Sequence, residues 1–214
     1  MSDIFTEVDE DLRRERALKL WKQYGNYVIA GAVVVVAATA GYVAWEDYSR
    51  KQAETAAAQY VAALDEAKTG KAADATKALE SIARAGGAGY SLLARLEEAG
   101  MKVAAGDMAG AVAIYRQVAA DSGIDREIRD AAALLAALDS VDTAAAEDLD
   151  KEVASLAAST SPWRYLAWEV QALAAAKAGK MDDARKLYSR ISDDPEAPAG
   201  VRARAAEMLA ALAG

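Results

Sequence analysis

From Tyr24 to Trp45 the chain carries no Asp, Glu, Lys or Arg over 22 consecutive residues. A helix of that length, at about 1.5 Å per residue, spans about 33 Å and matches a bilayer hydrocarbon core of about 30 Å. Trp21, Tyr24 and Tyr27 cluster at one edge and Tyr42, Trp45 and Tyr48 at the other, where amphipathic rings favour the lipid headgroup zone. The run therefore predicts one membrane-spanning helix over residues 24–45, containing Tyr27, Gly31, Gly41 and Trp45. It divides the chain into a tail, 1–23, and a domain, 46–214.

The tail sets the orientation. Its basic residues, Arg13, Arg14, Arg16, Lys19 and Lys22, lie next to the apolar run, against only Arg50 and Lys51 just beyond it. A Lys/Arg excess marks the cytoplasmic side, which puts the tail in the cytoplasm and the domain outside, in a bacterium the periplasm. Ala38-Thr39-Ala40 reads alternatively as a signal-cleavage site. Against it stand an acidic start and a leader of about 40 residues, where about 15–30 is usual. Ala37 and Gly41 form a small-xxx-small pair that either seats a second helix or is the chance spacing of an Ala/Gly-rich span.

Charge and composition exclude several function classes. The net charge is −8, of which the tail holds only −1, so the domain repels nucleic acid and anionic lipid. Cys and His are both absent, which removes disulfides, thiolate sites and the commonest general base and metal ligand. Ser and Thr have no His to activate them. Gly86-Gly87-Ala88-Gly89 has no preceding strand and no following Lys-Ser/Thr, so it reads as an interhelical turn rather than a phosphate cradle. Asp182-Asp183 and Asp193-Asp194 sit at helix ends and read as caps. No enzyme activity, cofactor or metal is expected.

Beyond Trp45 the pattern is helical throughout, with helices expected at 46–68, 71–85, 89–105, 108–120, 125–138, 145–157, 162–178, 181–191 and 198–213. Ser161 and Pro162 read as N-cap and first helical residue, and Pro198 starts the last helix in the same way. Gly70, Gly106 and Gly179 are each followed five residues later by Ala, then by Leu79 and Ile82, Tyr115 and Val118, or Tyr188 and Ile191. A helix–turn–helix period of about 34 residues is the tetratricopeptide signature. A close crossing requires a small residue twelve positions before that Ala, and Ala63, Ala99 and Ala172 supply it. Only Trp168 fills the large aromatic place of a first helix, and only Pro195 stands near a unit's expected end. The unit at 125–157 keeps its helices but has Glu147-Asp148-Leu149-Asp150 where the motif belongs. The last helix reads as a polar-backed cap. The fold class is all-α: one transmembrane helix followed by a solenoid of helical hairpins.

Stacked hairpins offer a concave face. Repeat register directs Tyr60, Leu64, Leu93, Leu96, Val103, Leu166, Glu169, Leu173 and Lys177 toward it. These mostly apolar positions either accept a partner helix or apolar segment or pack against neighbouring helices.

The order of parts carries a resemblance. An Asp-Glu-Asp-Leu-Arg-Arg-Glu-Arg tail passes through Leu20-Trp21-Lys22-Gln23-Tyr24-Gly25-Asn26-Tyr27-Val28 into one span, then into degenerate repeats with Ser-Pro-Trp-Arg and Pro-Ala-Gly-Val-Arg-Ala-Arg-Ala near the end. The chain resembles the bacterial family of membrane-anchored tetratricopeptide proteins named for the ancillary subunit of the Sec translocon. That resemblance implies a single-pass inner-membrane protein whose periplasmic repeats associate with the Sec channel and periplasmic chaperones to assist exported proteins, without catalytic residues. The alternative is an envelope or cell-division coordinator that self-assembles as a homo-oligomer and binds envelope machinery.

Overall fold

The computed structural model describes residues 3–158 and 160–213. Among them all regular structure is helical: α1 Asp3–Lys68, α2 Ala72–Ala85, α3 Gly87–Ala104, α4 Met108–Ala120, α5 Arg126–Asp139, α6 Ala146–Val153, α7 Arg164–Lys177, α8 Met181–Ser192 and α9 Ala199–Ala213. The chain forms two compact units, Met1–Thr55 and Ala56–Gly214.

Among the described residues of the first unit, the large side chains of α1 are exposed. Tyr27 is 76% exposed and Trp45 70%, and a Cβ at Gly31 or Gly41 would meet open space. Leu18–Lys68 contains an apolar window long enough to cross a membrane, with none of that window buried, and is one candidate span. The Thr39 hydroxyl donates to the Val35 carbonyl at 2.8 Å, so this hydroxyl is satisfied within its own helix.

The second unit is built on the glycine-to-alanine motif, whose spacing has a mechanical reason. Gly70, Gly106 and Gly179 have φ of +83°, +81° and +76°, the left-handed conformation that costs other residues about 1–2 kcal/mol. Each reverses the chain so that the next amide, of Lys71, Asp107 or Lys180, bonds the carbonyl five residues back in the finished helix. The carbonyl of that same residue then accepts from the amide of Ala75, Ala111 or Ala184. The alanine five residues after the glycine thus closes the first turn of the second helix.

Those alanines are also where the helices cross. Ala63, Ala99 and Ala172 are 1%, 0% and 0% exposed, and Ala75, Ala111 and Ala184 are all 0%. Around each crossing lies a cluster that takes in the hairpin and the helix after it. Ala63, Leu79 and Ile82 pack with Ala94 of α3; Ala99, Ala111 and Tyr115 with Ala136 of α5. In the last, Trp168, Tyr188 and Ile191 pack with Val201 and Ala205 of α9. Ala174 of α7 joins the third cluster in the same way. Among the described residues, burial is therefore shared between neighbouring helices, as in a solenoid.

The degenerate unit keeps the plan with one residue exchanged. Ala137 is 0% exposed and Leu149, twelve residues later, 1%, so a leucine occupies the alanine place, with Val153 and Leu156 buried behind it. Its second helix is shorter than the expected 145–157. Residues 154–157 run in turns, and the Ala157 carbonyl accepts from the Trp168 indole at 3.0 Å. The N-terminus of α7 also differs. The Ser161 hydroxyl accepts from the Trp163 amide at 3.1 Å, but this caps a separate turn, and α7 starts at Arg164 with Trp163 before it. Pro198 precedes α9 and its carbonyl accepts from Val201 and Arg202. α3 begins at Gly87 rather than residue 89: Gly86 is buried and Gly87 has φ +72°, so the glycine run joins two helices within one residue.

Ala99→Leu is expected to destabilise the array by about 1–3 kcal/mol through overpacking, whereas Ala104→Leu on the exposed surface changes it by less than about 0.5 kcal/mol. Urea unfolding followed by circular dichroism checks the pair.

Candidate functional site

Repeat register makes the residue after each crossing alanine equivalent in successive first helices. That residue is Leu64 after Ala63, Leu138 after Ala137 and Leu173 after Ala172, with Gly100 replacing it after Ala99. Leu138 is 44% exposed and Leu64 and Leu173 are half-buried. A Cβ at Gly100 would meet open space, so the row has a notch at the second unit. Leu93, near the start of α3, is 46% exposed.

The expected groove residues separate into two groups. Leu64, Leu93 and Leu173 lie outside the four described core clusters. Tyr60, Leu96, Val103 and Leu166 are half-buried and lean on those clusters instead; the Tyr60 ring also lies 6.2 Å from that of Tyr90. Glu169 and Lys177 are committed to neighbouring elements. Both Glu169 oxygens accept from Arg204 at 2.8 Å, and the Lys177 ammonium donates to the Val141 carbonyl at 2.9 Å. Leu138 was missed by sequence reasoning because the motif around it has degraded. The Ala-Leu dipeptide shared by 63–64, 137–138 and 172–173 was the signal available.

Ion pairs stitch the units at about one repeat's separation. Arg116 donates to Glu152 at 3.0 and 2.9 Å, 36 residues away, and Lys180 reaches Glu147 at 3.4 Å, 33 residues away. In the last unit Arg190 lies 3.6 Å over the Trp168 ring and Tyr165 meets that ring edge-on at 5.4 Å. The Tyr165 hydroxyl donates to Asp194 at 2.9 Å, while Asp182 and Asp183 pair with Arg185 and Lys186 at the start of α8. Asp182, Asp183 and Asp194 therefore act as helix-end partners.

Acid–base behaviour follows the packing. Burial, and then the Glu169 charge, pushes the Tyr188 hydroxyl up to about 12; that hydroxyl is buried without a hydrogen-bond partner. Tyr115 is raised by burial and by the Asp139 and Glu97 carboxylates, and Tyr60 by burial and Glu97. Asp139 is raised by burial alone. Asp107 moves the other way, held below the usual carboxylate range by the Gly110 amide, which donates at 2.9 Å, and by Lys102 at 3.2 Å. No group of three or more Asp or Glu among the described residues is arranged to hold a metal ion.

The family model described as "Tetratricopeptide repeat-like domain" matches residues 19–208, a range that takes in the apolar run. No curated protein and no solved structure matches the chain.

The Asp107 cap makes the start of α4 acid-sensitive. Its carboxyl is more acidic folded than unfolded, where it titrates near about 3.9. Its contribution is complete above that value and is lost as pH falls through the lower folded one. Stability of the native chain is expected to fall more steeply than that of Asp107→Asn on acidification from about pH 5 to pH 3, as read by thermal melts across that range.

Proposed function

The chain belongs to the tetratricopeptide repeat-like domain family, and on that premise we propose that it is a membrane-anchored scaffold whose repeats hold a protein partner. The row of Leu64, Leu138 and Leu173, with Leu93 beside it, carries this reading. Leu64, Leu138 and Leu173 stand at equivalent places in a stacked array; they and Leu93 lie outside the described core clusters and suit the apolar side of a partner helix or exposed segment. The division is a cytoplasmic tail, 1–23, a span, 24–45, and a periplasmic domain, 46–214. Three features support it: the Lys/Arg bias of the tail, the exposed apolar stretch of α1, and the Thr39 hydroxyl satisfied within the helix.

The partner of choice is the Sec translocon, together with a periplasmic chaperone or an exported client. The tail-to-span resemblance supports this choice. No step of chemistry is assigned to the chain; its work is to raise the local concentration of partners at one membrane face.

A photoreactive amino acid at Leu138 or Leu173 is expected to crosslink, in intact membranes, to Sec subunits, chaperones or exported chains. Adducts confined to division or envelope proteins, or to a second copy of this chain, would contradict the assignment.

A further inference from the structure

Asp139 is the last residue of α5, a helix with no basic residue in its final turn. A carboxylate there is disfavoured, because the carbonyl end of a helix is already negative. It is also half-buried, and burial raises its pKa with no cation acting on it. Among the described residues no hydrogen bond or ion pair engages it. Arg116, the one cation among the residues lining the cavity beside it, is committed elsewhere, to both oxygens of Glu152.

Asp139 opens onto a cavity of about 320 Å³ between the start of α4 and the end of α5. The α4 wall is aliphatic, made by Met108, Ala109, Val112 and Ala113, with Arg116 farther along the same helix. Met108 is 40% exposed although it is large and apolar. The cavity therefore combines a methyl-lined wall, a carboxylate without a counter-ion and the negative end of a helix dipole.

The geometry points to this cavity as a binding site for the side chain of a lysine presented by a protein partner. The methylene stem lies on Met108, Ala109, Val112 and Ala113, as long cationic side chains do on apolar surface. The ammonium meets the Asp139 carboxylate and the C-terminus of α5, each of which favours a positive charge. A compact ammonium suits one carboxylate at the end of an aliphatic slot, whereas a guanidinium is served by a bidentate partner. The inference rests on the reading of the array as a protein-binding scaffold and names one residue its partner must carry. Asp139 follows Leu138 in the last turn of α5, so the cavity lies at the same end of that helix as Leu138, about 100° round its axis.

The site is tested on the full-length chain in detergent micelles with n-butylammonium chloride, which is the lysine side chain without its backbone. Asp carboxyl carbons are labelled with carbon-13, and the Asp139 resonance is assigned by its loss in Asp139→Asn and, independently, in Asp139→Glu. Saturable movement of that resonance with n-butylammonium, and none with n-butanol, is the expected result. Ala113→Leu fills the cavity and keeps the carboxylate; it is expected to weaken the response by about tenfold or more, and it serves as the test should Asp139→Asn fail to fold. The site is overturned by a response no larger than at exposed Asp142 or Asp148, by an equal response to n-butanol, or by indifference to Ala113→Leu. n-Butylammonium binding without any crosslink from Leu138 would sustain the site and overturn the scaffold reading. The reverse would overturn the site alone.

Discussion

The array depends on two alanines meeting at three of its helix crossings, with Ala137 and Leu149 at the fourth. Ala99 with Ala111 and Ala172 with Ala184 are fully buried, and a side chain larger than a methyl at either place would force the helices apart. Close approach is useful only if the second helix starts in register, and the left-handed glycine fixes that. Gly106 ends one helix, the carbonyl of Asp107 begins the next, and the amide of Ala111 closes its first turn. Packing and turn chemistry thus fall on the same residue, which is why the motif survives where the rest of the repeat has drifted.

The rest of the domain follows from repeating that crossing. Each hairpin leaves an apolar flank that the next first helix covers, as Ala94, Ala136 and Ala174 do, and α9 closes the series with Val201 and Ala205 inward. Ion pairs such as Arg116 with Glu152 and Arg204 with Glu169 bridge adjacent units. Being largely exposed on at least one side, they set register and contribute only about 0–1 kcal/mol each. The unit with Leu149 in an alanine place shows the tolerance of the plan: burial is kept, the second helix shortens to eight residues, and Trp168 takes the Ala157 carbonyl that regular helix would have used.

Much of this was legible in the sequence because the signals are local. The Gly-to-Ala spacing depends on one turn and one hydrogen bond, and a charge-free run of 22 residues depends on nothing else in the chain. What was illegible depends on neighbours. Tyr60, Leu96, Val103 and Leu166 share a register with exposed groove positions, but adjoining helices draw them toward the cores. Glu169 and Lys177 look like free polar contacts until Arg204 and Val141 are placed beside them. Leu138 and Asp139 lie in the unit whose motif has decayed, so no spacing rule pointed to them, and the lack of a counter-ion at Asp139 becomes visible only once Arg116 is seen bound to Glu152.

A binding array gains a role from where it is held, and in the proposed function α1 anchors the repeats on one side of a membrane. The chain has no Cys, so one introduced thiol reports one position. In intact cells, a membrane-impermeant maleimide should label Ser122→Cys once the outer envelope is permeabilised, and Glu15→Cys only after the inner membrane is broken. Labelling of Glu15→Cys before that step, or protection of Ser122→Cys until it, would contradict that anchoring.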